Sequence, residues 1–377
     1  MSNEVADLRA HITQAASHET LAGIDFVRLP GRDRTRILET EDRYFGAQWD
    51  LSNGLWKLAV VLDGHGTSVT VDFVLNALPS IVQAALVSAV EESNSQPLGD
   101  DTVSKILSQA LIGLDERIKN EFIALLPPDI DALSDFDATV PLRDPHGKPR
   151  IEVDRALSGT TATVALIDPL NRIHVASVGD CDAVLCVEIE DGWDCQDMGF
   201  HHQCSNPAEM ARIRAEHPGE PNCVTNTHVG RLLGGMPLSR GIGDMHFKLP
   251  VNLVRILEAG CGESIGKAFI DNNITPPYMS NIPEIGHANV PGQKFLIIAS
   301  DGLDHLMRRF RRKNIPTREH GKIYAAAAAR APAGQNLAAE VLWEAFGGDG
   351  EGNIYGDAIA GKLQGRVDDI TIAVVPL

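Results

Sequence analysis

The sequence predicts a protein of the α+β class, in which amphipathic helices and short apolar strands share one core. Three apolar, β-branched segments, at residues 56–62, 172–178 and 295–300, run into turn residues and predict buried strands. Apolar residues recur every three or four positions from 71 to 90 and from 107 to 118. This spacing predicts helices that pack on the strands.

Turn residues and further periodic segments define the rest of the chain. A four-residue turn at 168–171 joins two strands in a predicted hairpin, and we expect Pro79 to interrupt the helical segment around it. The further predicted strands are 158–167, 183–187 and 370–375, and the further predicted helices are 207–217, 325–331 and 336–346.

The length of 377 residues fits one large domain with insertions. Residues 1–24 mix helical spacing with polar side chains, so we expect them to form an N-terminal arm. The domain then runs from 25 to 377. Polar or glycine-rich segments without periodicity predict insertions at about 125–156, 219–285 and 347–365.

Composition excludes several classes of protein. The 51 acidic and 33 basic residues give a formal net charge of −18, which repels nucleic acid and anionic membrane surfaces. No run approaches the ~20 apolar residues that span a bilayer. The six cysteines show no CxxC pair or disulfide-like framework, so we interpret all six as reduced thiols of an intracellular protein. The first seven residues carry acids and lack an apolar core, so we expect neither a secretory signal nor an arginine-rich transit peptide.

Six acidic side chains flank predicted strands at widely separated places in the chain. Three follow apolar strands and three precede strands: Asp63, Asp180 and Asp301, and then Glu41, Asp42 and Asp368. Carboxylates that meet at one edge of a sandwich repel one another unless cations lie between them. Mg²⁺ and Mn²⁺ prefer oxygen ligands, and two such ions can polarise a phosphoryl group and activate a water molecule. The pattern therefore predicts a two-ion site for phosphate chemistry.

Six short motifs occur in the order found in metal-dependent (type-2C) serine/threonine protein phosphatases, which the chain resembles from about residue 25 to 377. They are residues 63–66 (DGHG), 158–162 (SGTTA), 178–180 (VGD), 239–244 (SRGIGD), 299–302 (ASDG) and 368–371 (DDIT). Segments at 202–218, 276–284 and 335–338 resemble the branch that contains the pyruvate dehydrogenase phosphatases. The resemblance implies a four-layer α/β/β/α sandwich, two antiparallel β-sheets flanked by helices, with metals in a cleft at one end.

The resemblance also implies a metal role for each matched residue. Asp63 would bridge two ions, and Glu41 with the carbonyl of Gly64 would complete one of the two sites. Asp301 and Asp368 would complete the other. The ions would be Mg²⁺ or Mn²⁺, and a water molecule held between them would attack phosphorus directly.

Three further residues take roles from the same resemblance. His65 would be the general acid that protonates the departing serine or threonine oxygen. Asp42 would act through metal-bound water. Asp180 would hold a third ion. Whether this third site exists stays open, because His305 stands where the family has an acid.

The chain also departs from the family pattern where phosphate is bound. Ile37 occupies the position of the family's phosphate-binding arginine, and Arg36 or Arg34 can take over that role if the loop shifts register. His201 and Asp369 replace a usual aspartate and asparagine, and we expect Asp369 to add negative charge near the metals.

The leading hypothesis is an active protein serine/threonine phosphatase that acts on phosphorylated proteins. The alternative is a phosphoprotein-binding pseudophosphatase with little turnover, suggested by Ile37 and His305. We expect a monomer that binds neither nucleic acid nor membrane, in the cytoplasm or nucleus, with a mitochondrial location left open. Specificity is expected to lie in the insertions at 125–156 and 219–285, because loops on a fixed scaffold carry recognition.

Overall fold

The computed structural model describes residues 3–127, 140–225, 227, 229–262, 264–311, 315–350 and 352–377. Two antiparallel sheets pack face to face, and helices cover the outer face of each sheet. The α/β/β/α sandwich predicted from the resemblance is therefore confirmed.

Sheet I has six strands, paired in the order β1-β2-β16-β15-β11-β12. Its strands are β1 (Ser17–Leu21), β2 (Ile24–Leu29), β11 (Asp182–Ile189), β12 (Gly192–Asp197), β15 (Lys294–Ala299) and β16 (Ile370–Pro376). The central strands β15 and β16 are apolar at almost every position, because one face meets sheet II and the other meets helices.

Sheet II has five strands, paired in the order β14-β10-β9-β6-β5. Its strands are β5 (Arg43–Leu51), β6 (Gly54–Leu62), β9 (Ala162–Ile167), β10 (Ile173–Val178) and β14 (Glu284–Ala288). Strands β9 and β10 form the predicted hairpin. Phe26, Val61 and Leu296 are fully buried in the layer between the two sheets.

Two small sheets lie at the ends of the large ones. One is three-stranded, with the order β13-β8-β7, and the other pairs β3 with β4. Their strands are β3 (Arg32–Asp33), β4 (Arg36–Ile37), β7 (Gly64–His65), β8 (Gly159–Thr160) and β13 (Ile242–Gly243). The three-stranded sheet pairs residues from inside three of the motifs, DGHG, SGTTA and SRGIGD.

Helices α2 and α3 cover sheet II, and α9 and α10 cover sheet I. The α-helices are α1 (Asn3–Ala15), α2 (Ser68–Glu92), α3 (Asp100–Ile123), α4 (Ile151–Leu157), α5 (Pro207–Glu216), α6 (Val251–Cys261), α7 (Lys267–Asn272), α8 (Asp301–His305), α9 (Thr317–Arg330), α10 (Leu337–Phe346) and α11 (Tyr355–Ile359). Short 3₁₀ turns occur at Val140–Leu142 and Met245–Phe247, and a π-helical turn at Leu306–Phe310.

Helix α2 differs from its prediction, because it continues through Pro79 without interruption. Its buried apolar residues recur every three or four positions and pack in one cluster with sheet II: Val71, Val74, Leu78, Val82, Leu86 and Val90. Burial of this face outweighs the ~3 kcal/mol that proline costs inside a helix.

By length and composition alone α2 could also cross a membrane. The sequence had not indicated such a candidate span. The one-sided burial is that of a core helix.

A disulfide bond joins Cys186 to Cys195, so the prediction of six reduced thiols is wrong for this pair. The two cysteines are directly opposite each other in the β11–β12 hairpin. Their spacing in the sequence gave no sign of pairing, because the hairpin register brings them together. The other four cysteines, Cys181, Cys204, Cys223 and Cys261, are not part of a disulfide bond.

The predicted N-terminal arm, residues 1–24, contains α1 and the edge strand β1, which pairs with β2. Ile12 of α1 is 5% exposed and belongs to the core between sheet I and its helices. The predicted insertions are described except for residues 128–139, 226, 228, 263 and 351. The boundary at residue 24 and the insertion limits stay predictions.

Candidate active site

Acidic side chains converge where the strands of the two facing sheets end. Strand β6 leads into Asp63, β10 leads towards Asp180 and β15 leads into Asp301, while Asp368 immediately precedes β16. Antiparallel pairing of β15 with β16 brings the start of one beside the end of the other. The sequence therefore delivers acids to this edge from four strands.

The electrostatics show how closely these acids approach one another. Burial raises the pKa of Asp63 well above its usual range, and the charges of Asp42, Asp301, Asp180 and Asp368 raise it further. All four neighbours were predicted as members of the same site. One buried carboxylate surrounded by four others is unstable as a set of bare anions.

Asp301 has the same environment. Burial raises its pKa well above the usual range, with further contributions from Asp180, Asp368 and Asp42. A set of converging carboxylate oxygens suits a hard divalent cation, which would restore the carboxylates to their ionised form. The residues present therefore fit the predicted ions.

Asp42 is 1% exposed, and its Oδ2 accepts a hydrogen bond from the hydroxyl of Ser300 at 2.7 Å. Burial raises the pKa of Asp42 to about 7. The charges of Asp369 and Asp368 add to this shift, and the hydrogen bond from Ser300 opposes it. Ser300 also accepts a hydrogen bond from the backbone N–H of Thr371, at 2.9 Å. The serine of the ASDG motif thus ties β15, β16 and Asp42 together.

Asp369 adds negative charge near the cleft, as predicted, because its charge helps to raise the pKa of Glu41 and that of Asp42. Its Oδ1 accepts a hydrogen bond from the N–H of Gly31 at 2.7 Å, and its Oδ2 accepts one from the N–H of Glu41 at 2.8 Å. Two backbone donors require two acceptors, which a carboxylate supplies and an asparagine does not. Asp369 therefore fixes the backbone that carries Glu41, whose own pKa is raised chiefly by burial.

The imidazole of His65 lies against Asp244, with Nε2 2.8 Å from Oδ2. Asp244 follows β13 and is 1% exposed, and its pKa is lowered because the charge and hydrogen bond of His65 outweigh the effect of burial. Burial alone would lower the pKa of His65, but Asp244, Asp180 and Glu41 together raise it. His65 is therefore held in place and favoured as imidazolium.

Asp244 is the functional residue that the sequence reasoning missed. It was present in the SRGIGD motif, but only the β7–β8–β13 pairing brings it to His65. Gly159 of β8 lies beneath the pair, and a Cβ there would be 2.1 Å from Oδ2 of Asp244 and 2.5 Å from Nε2 of His65. Glycine at this position is required by the close approach of the two side chains.

Asp180 is 7% exposed, and its Oδ2 accepts a hydrogen bond from Nε2 of Gln203 at 2.7 Å. Burial raises its pKa, although Gln203 and nearby histidines oppose the shift. His201, which replaces a usual aspartate, lies with Nε2 3.2 Å from Oδ1 of Asp182. His201 therefore pairs with an acid beside the site.

His305 lies between two predicted ligands. Its Nε2 is 3.9 Å from Oδ2 of Asp301, and its Nδ1 is 3.9 Å from Oδ2 of Asp368. One potential ligand atom from each of the three residues lies within 4.8 Å of the others. The imidazole thus occupies the region of the tentative third site and offers nitrogen where the family has oxygen.

The cationic groups near the cleft are not those that the sequence favoured. Arg36 is exposed on β4, and Ile37 beside it is 57% exposed. Arg366 lies closer to the acids: its Nη2 is 2.8 Å from Oδ1 of Asp368, and its charge acts on Glu41. Arg366 was not identified from the sequence, because its side chain reaches the cleft from the loop before β16.

The family model described as Protein phosphatase 2C matches residues 39–309. Human [Pyruvate dehydrogenase [acetyl-transferring]]-phosphatase 2, mitochondrial, is 35% identical over 180 residues, covering 46% of this chain and 34% of the relative. The Saccharomyces cerevisiae [Pyruvate dehydrogenase [acetyl-transferring]]-phosphatase 1, mitochondrial, is 27% identical over 256 residues, which cover 66% of this chain and 41% of the relative. The matches thus span less than half of each curated relative.

Solved structures show the same fold. A serine-threonine phosphatase 2C from Toxoplasma gondii has a TM-score of 0.58 and 16% identity, covering 96% of this chain and 98% of that one. A sex-determining protein of C. elegans has a TM-score of 0.55 and 16% identity, and the match covers 94% of this chain and 64% of that one. At such identity the likeness concerns architecture alone.

Proposed function

Because the chain belongs to the protein phosphatase 2C family, we propose that it hydrolyses phosphoserine and phosphothreonine in proteins with the help of Mg²⁺ or Mn²⁺. One observation carries the proposal. The partly buried Asp63 is surrounded by four further carboxylates, and His65 follows it two positions later in the chain. Oxygen ligands and a poised acid are the two components that phosphate-ester hydrolysis needs.

Two ions fit this donor set, with Asp63 between them. Glu41 and the Gly64 carbonyl would hold one ion, and Asp301 with Asp368 would hold the other. When bound, such ions lower the pKa of water and polarise the phosphoryl group. Asp42 is buried behind these ligands and would act through water. A third ion at Asp180 is an extension of the same proposal.

His65 is the general acid of the proposed reaction. Its pKa is raised by Asp244, which favours the imidazolium that would protonate the departing serine or threonine oxygen. Asp244 acts through His65 and is therefore a positioning residue. Its carboxylate, 2.8 Å away, orients the ring and stabilises the charged form.

A guanidinium group is expected to hold the phosphate before it is cleaved. Arg36 remains the candidate from the sequence. Arg366 is a second candidate, favoured by its contact with Asp368 at the edge of the carboxylate cluster. Replacing the phosphate-binding arginine by alanine should raise KM for phosphopeptide, and the same change at the other position serves as the matched control.

The substrate and the location of the protein are also proposals. The curated relatives are named as phosphatases of pyruvate dehydrogenase and as mitochondrial. A phosphorylated subunit of such a complex is therefore the first substrate to test, and we keep cytoplasm or nucleus as the predicted location with mitochondria as the alternative. We propose a monomer, which analytical ultracentrifugation would test. No observation among the described residues favours the pseudophosphatase.

The leaving-group dependence of hydrolysis tests the proposed function. Phosphothreonine needs a proton on its departing oxygen, whereas p-nitrophenyl phosphate releases a stable anion without one. His65→Ala should therefore lose roughly 10²–10⁴-fold in kcat on a phosphothreonine peptide and much less on the aryl ester. Equal losses on both substrates would contradict the assignment of His65. His18→Ala, on the exposed strand β1, is the matched control.

A further inference from the structure

A second cluster of potential metal ligands lies at the opposite end of β10 from the acidic cleft. It consists of Asp100, His174 and His287, and one ligand atom from each lies within 4.8 Å of the others. His174 and Asp180 are six positions apart along the chain, so the two ends are separated by roughly 20 Å. The cluster is thus separate from the proposed catalytic residues.

Three different elements supply these side chains. His174 and His287 are directly opposite each other on β10 and β14, and Asp100 is the first residue of α3. The two Nδ1 atoms are 2.7 Å apart, and Nδ1 of His174 is 3.8 Å from Oδ1 of Asp100. At 2.7 Å a proton must lie between the two rings, or a cation must replace it.

The far nitrogens of the two imidazoles have different surroundings. Nε2 of His287 is 2.9 Å from the hydroxyl of Ser104, whereas Nε2 of His174 is buried without a hydrogen-bond partner among the described residues and lies 3.9 Å from Oδ2 of Asp168. Ligand histidines in metal sites characteristically place the second ring nitrogen against a carboxylate or hydroxyl. His287 has that arrangement, and Asp168 is the acid that faces the second nitrogen of His174.

Charge and access also suit a cation. His174 is fully buried, whereas His287 is half-buried and the side chain of Asp100 is 49% exposed, so the cluster can be reached from solvent. Arg172 contacts both Asp100 and Asp168, at 3.2 and 2.7 Å. One guanidinium against two carboxylates leaves a net negative charge. Burial also lowers the pKa of His287, which keeps it neutral as a ligand must be.

We propose that Asp100, His174 and His287 form a binding site for Zn²⁺ or a similar borderline transition-metal ion. Two imidazoles and one carboxylate suit zinc better than Mg²⁺, which prefers oxygen ligands. Three protein ligands leave a fourth position for water. The ion would join the first turn of α3 to two strands of sheet II, and would thereby stabilise the contact between this helix and the sheet.

Zinc binding requires only a small rearrangement. Two imidazole nitrogens bound to one tetrahedral zinc ion at about 2.0–2.1 Å lie about 3.3 Å apart, so the rings must separate by about 0.6 Å. His287 is on the edge strand β14, which has a single neighbour and can shift. The Nδ1 proton of His287 would move to Nε2 and be donated to Ser104, so the tautomer changes without net proton release.

Calorimetric titration with Zn²⁺ tests the proposal. The Asp63→Asn chain is kept in excess Mg²⁺ throughout, so that competition at the acidic cleft is the same for every variant. His287→Ala should remove one bound zinc equivalent per chain. Asp100→Asn should weaken that equivalent by roughly 10-fold or more, whereas Asp101→Asn, the adjacent exposed acid, should leave it unchanged.

Thermal unfolding provides a second readout that does not depend on catalysis. Zn²⁺ should raise the Tm of the Asp63→Asn chain in Mg²⁺ and should not raise that of the chain that also carries His287→Ala. His287→Gln checks that a polar ring-free side chain behaves like alanine. Equal zinc stoichiometry and equal Tm shifts with and without His287 would overturn the proposal and assign the pair a hydrogen-bonding role only. That result would leave the proposed phosphatase activity untouched.

Discussion

Nε2 of His65 lies 2.8 Å from Oδ2 of Asp244, although the two residues are 179 positions apart in the chain. The carboxylate is buried, so its negative charge acts on the imidazole with little screening by water. The pair links the proposed general acid to a buried carboxylate from another motif, which raises the pKa of the imidazole.

Asp244→Asn should lower kcat on a phosphothreonine peptide by roughly 10–100-fold, less than loss of the general acid itself. Asp244 raises the pKa of His65, so its removal lowers that pKa and moves the alkaline limb of the kcat profile to lower pH. The pH dependence of kcat measures both effects. In a His65→Ala background the same substitution should cause no further loss of kcat. If Asp244→Asn lowered kcat by the same factor with and without His65, the two residues would not be coupled.

Asp369→Asn should destabilise the metal-free protein by about 1–3 kcal/mol, because one of two buried backbone N–H groups loses its acceptor. It should also weaken Mn²⁺ binding by about 10–100-fold through the displaced Glu41. Urea unfolding in EDTA and equilibrium Mn²⁺ titration measure the two quantities. Asp33→Asn, an exposed acid on β3, is the control. Unchanged Mn²⁺ affinity would show that Asp369 does not position Glu41.

Glu209 is 4% exposed and accepts hydrogen bonds from Arg240 at 2.6 Å, Arg212 at 2.9 Å and Ser239 at 2.6 Å. Burial would raise its pKa, but these donors lower it well below the usual carboxyl range. Glu209→Gln should cost about 3–5 kcal/mol of unfolding free energy at neutral pH. Glu216→Gln, which removes a half-exposed partner of Arg212, should cost no more than about 1 kcal/mol.

The pH dependence of this cost follows from the sign of the shift. Because the folded-state pKa of Glu209 is depressed, its stabilisation is present above the ordinary glutamate pKa of 4.5 and is lost as the pH falls towards the lowered value. The difference in unfolding free energy between wild type and Glu209→Gln should therefore shrink below about pH 4.5. A difference that stays constant across the acid range would contradict the ionised network.

The metal-free acidic cleft should have the opposite pH dependence. Burial and neighbouring acids raise the pKa of Asp63 well above its usual range and that of Asp42 to about 7. The folded state therefore holds protons that the unfolded state releases, and stability in EDTA should fall as the pH rises from the ordinary 3.8 towards about 7. Asp63→Asn should make the unfolding free energy depend less on pH. Saturating Mn²⁺ should reverse the sign of the pH dependence in the wild type but not in Asp63→Asn. Urea unfolding at several pH values measures the slope.

The sequence predicted the layers of this fold because strand and helix periodicities are local properties. It placed β6, β10, β15 and β16 within one or two residues of their observed limits. The acidic residues at the ends of these strands were predicted because their position beside an apolar run is also a local property of the sequence. Pro79 was misjudged because tertiary packing of the apolar face of α2 outweighs the local preference of proline.

What the sequence could not predict depends on pairing across long separations. Cys186 meets Cys195 through a hairpin register, and Asp244 meets His65 through a three-stranded sheet. The negative charge that Asp369 adds near the metals was predicted, but the hydrogen bonds that its carboxylate accepts from two backbone N–H groups on another segment were not. Motif order identified the family but not these partners.

Phosphate release from a phosphothreonine peptide tests the central claim most directly. It is measured for wild type and Asp63→Asn, each in Mn²⁺ and in EDTA, with Asp33→Asn as the matched control. Turnover should appear in wild type and in Asp33→Asn only with Mn²⁺, and should be abolished in Asp63→Asn under both conditions. Turnover of wild type in EDTA, or full turnover of Asp63→Asn, would contradict the two-ion phosphatase.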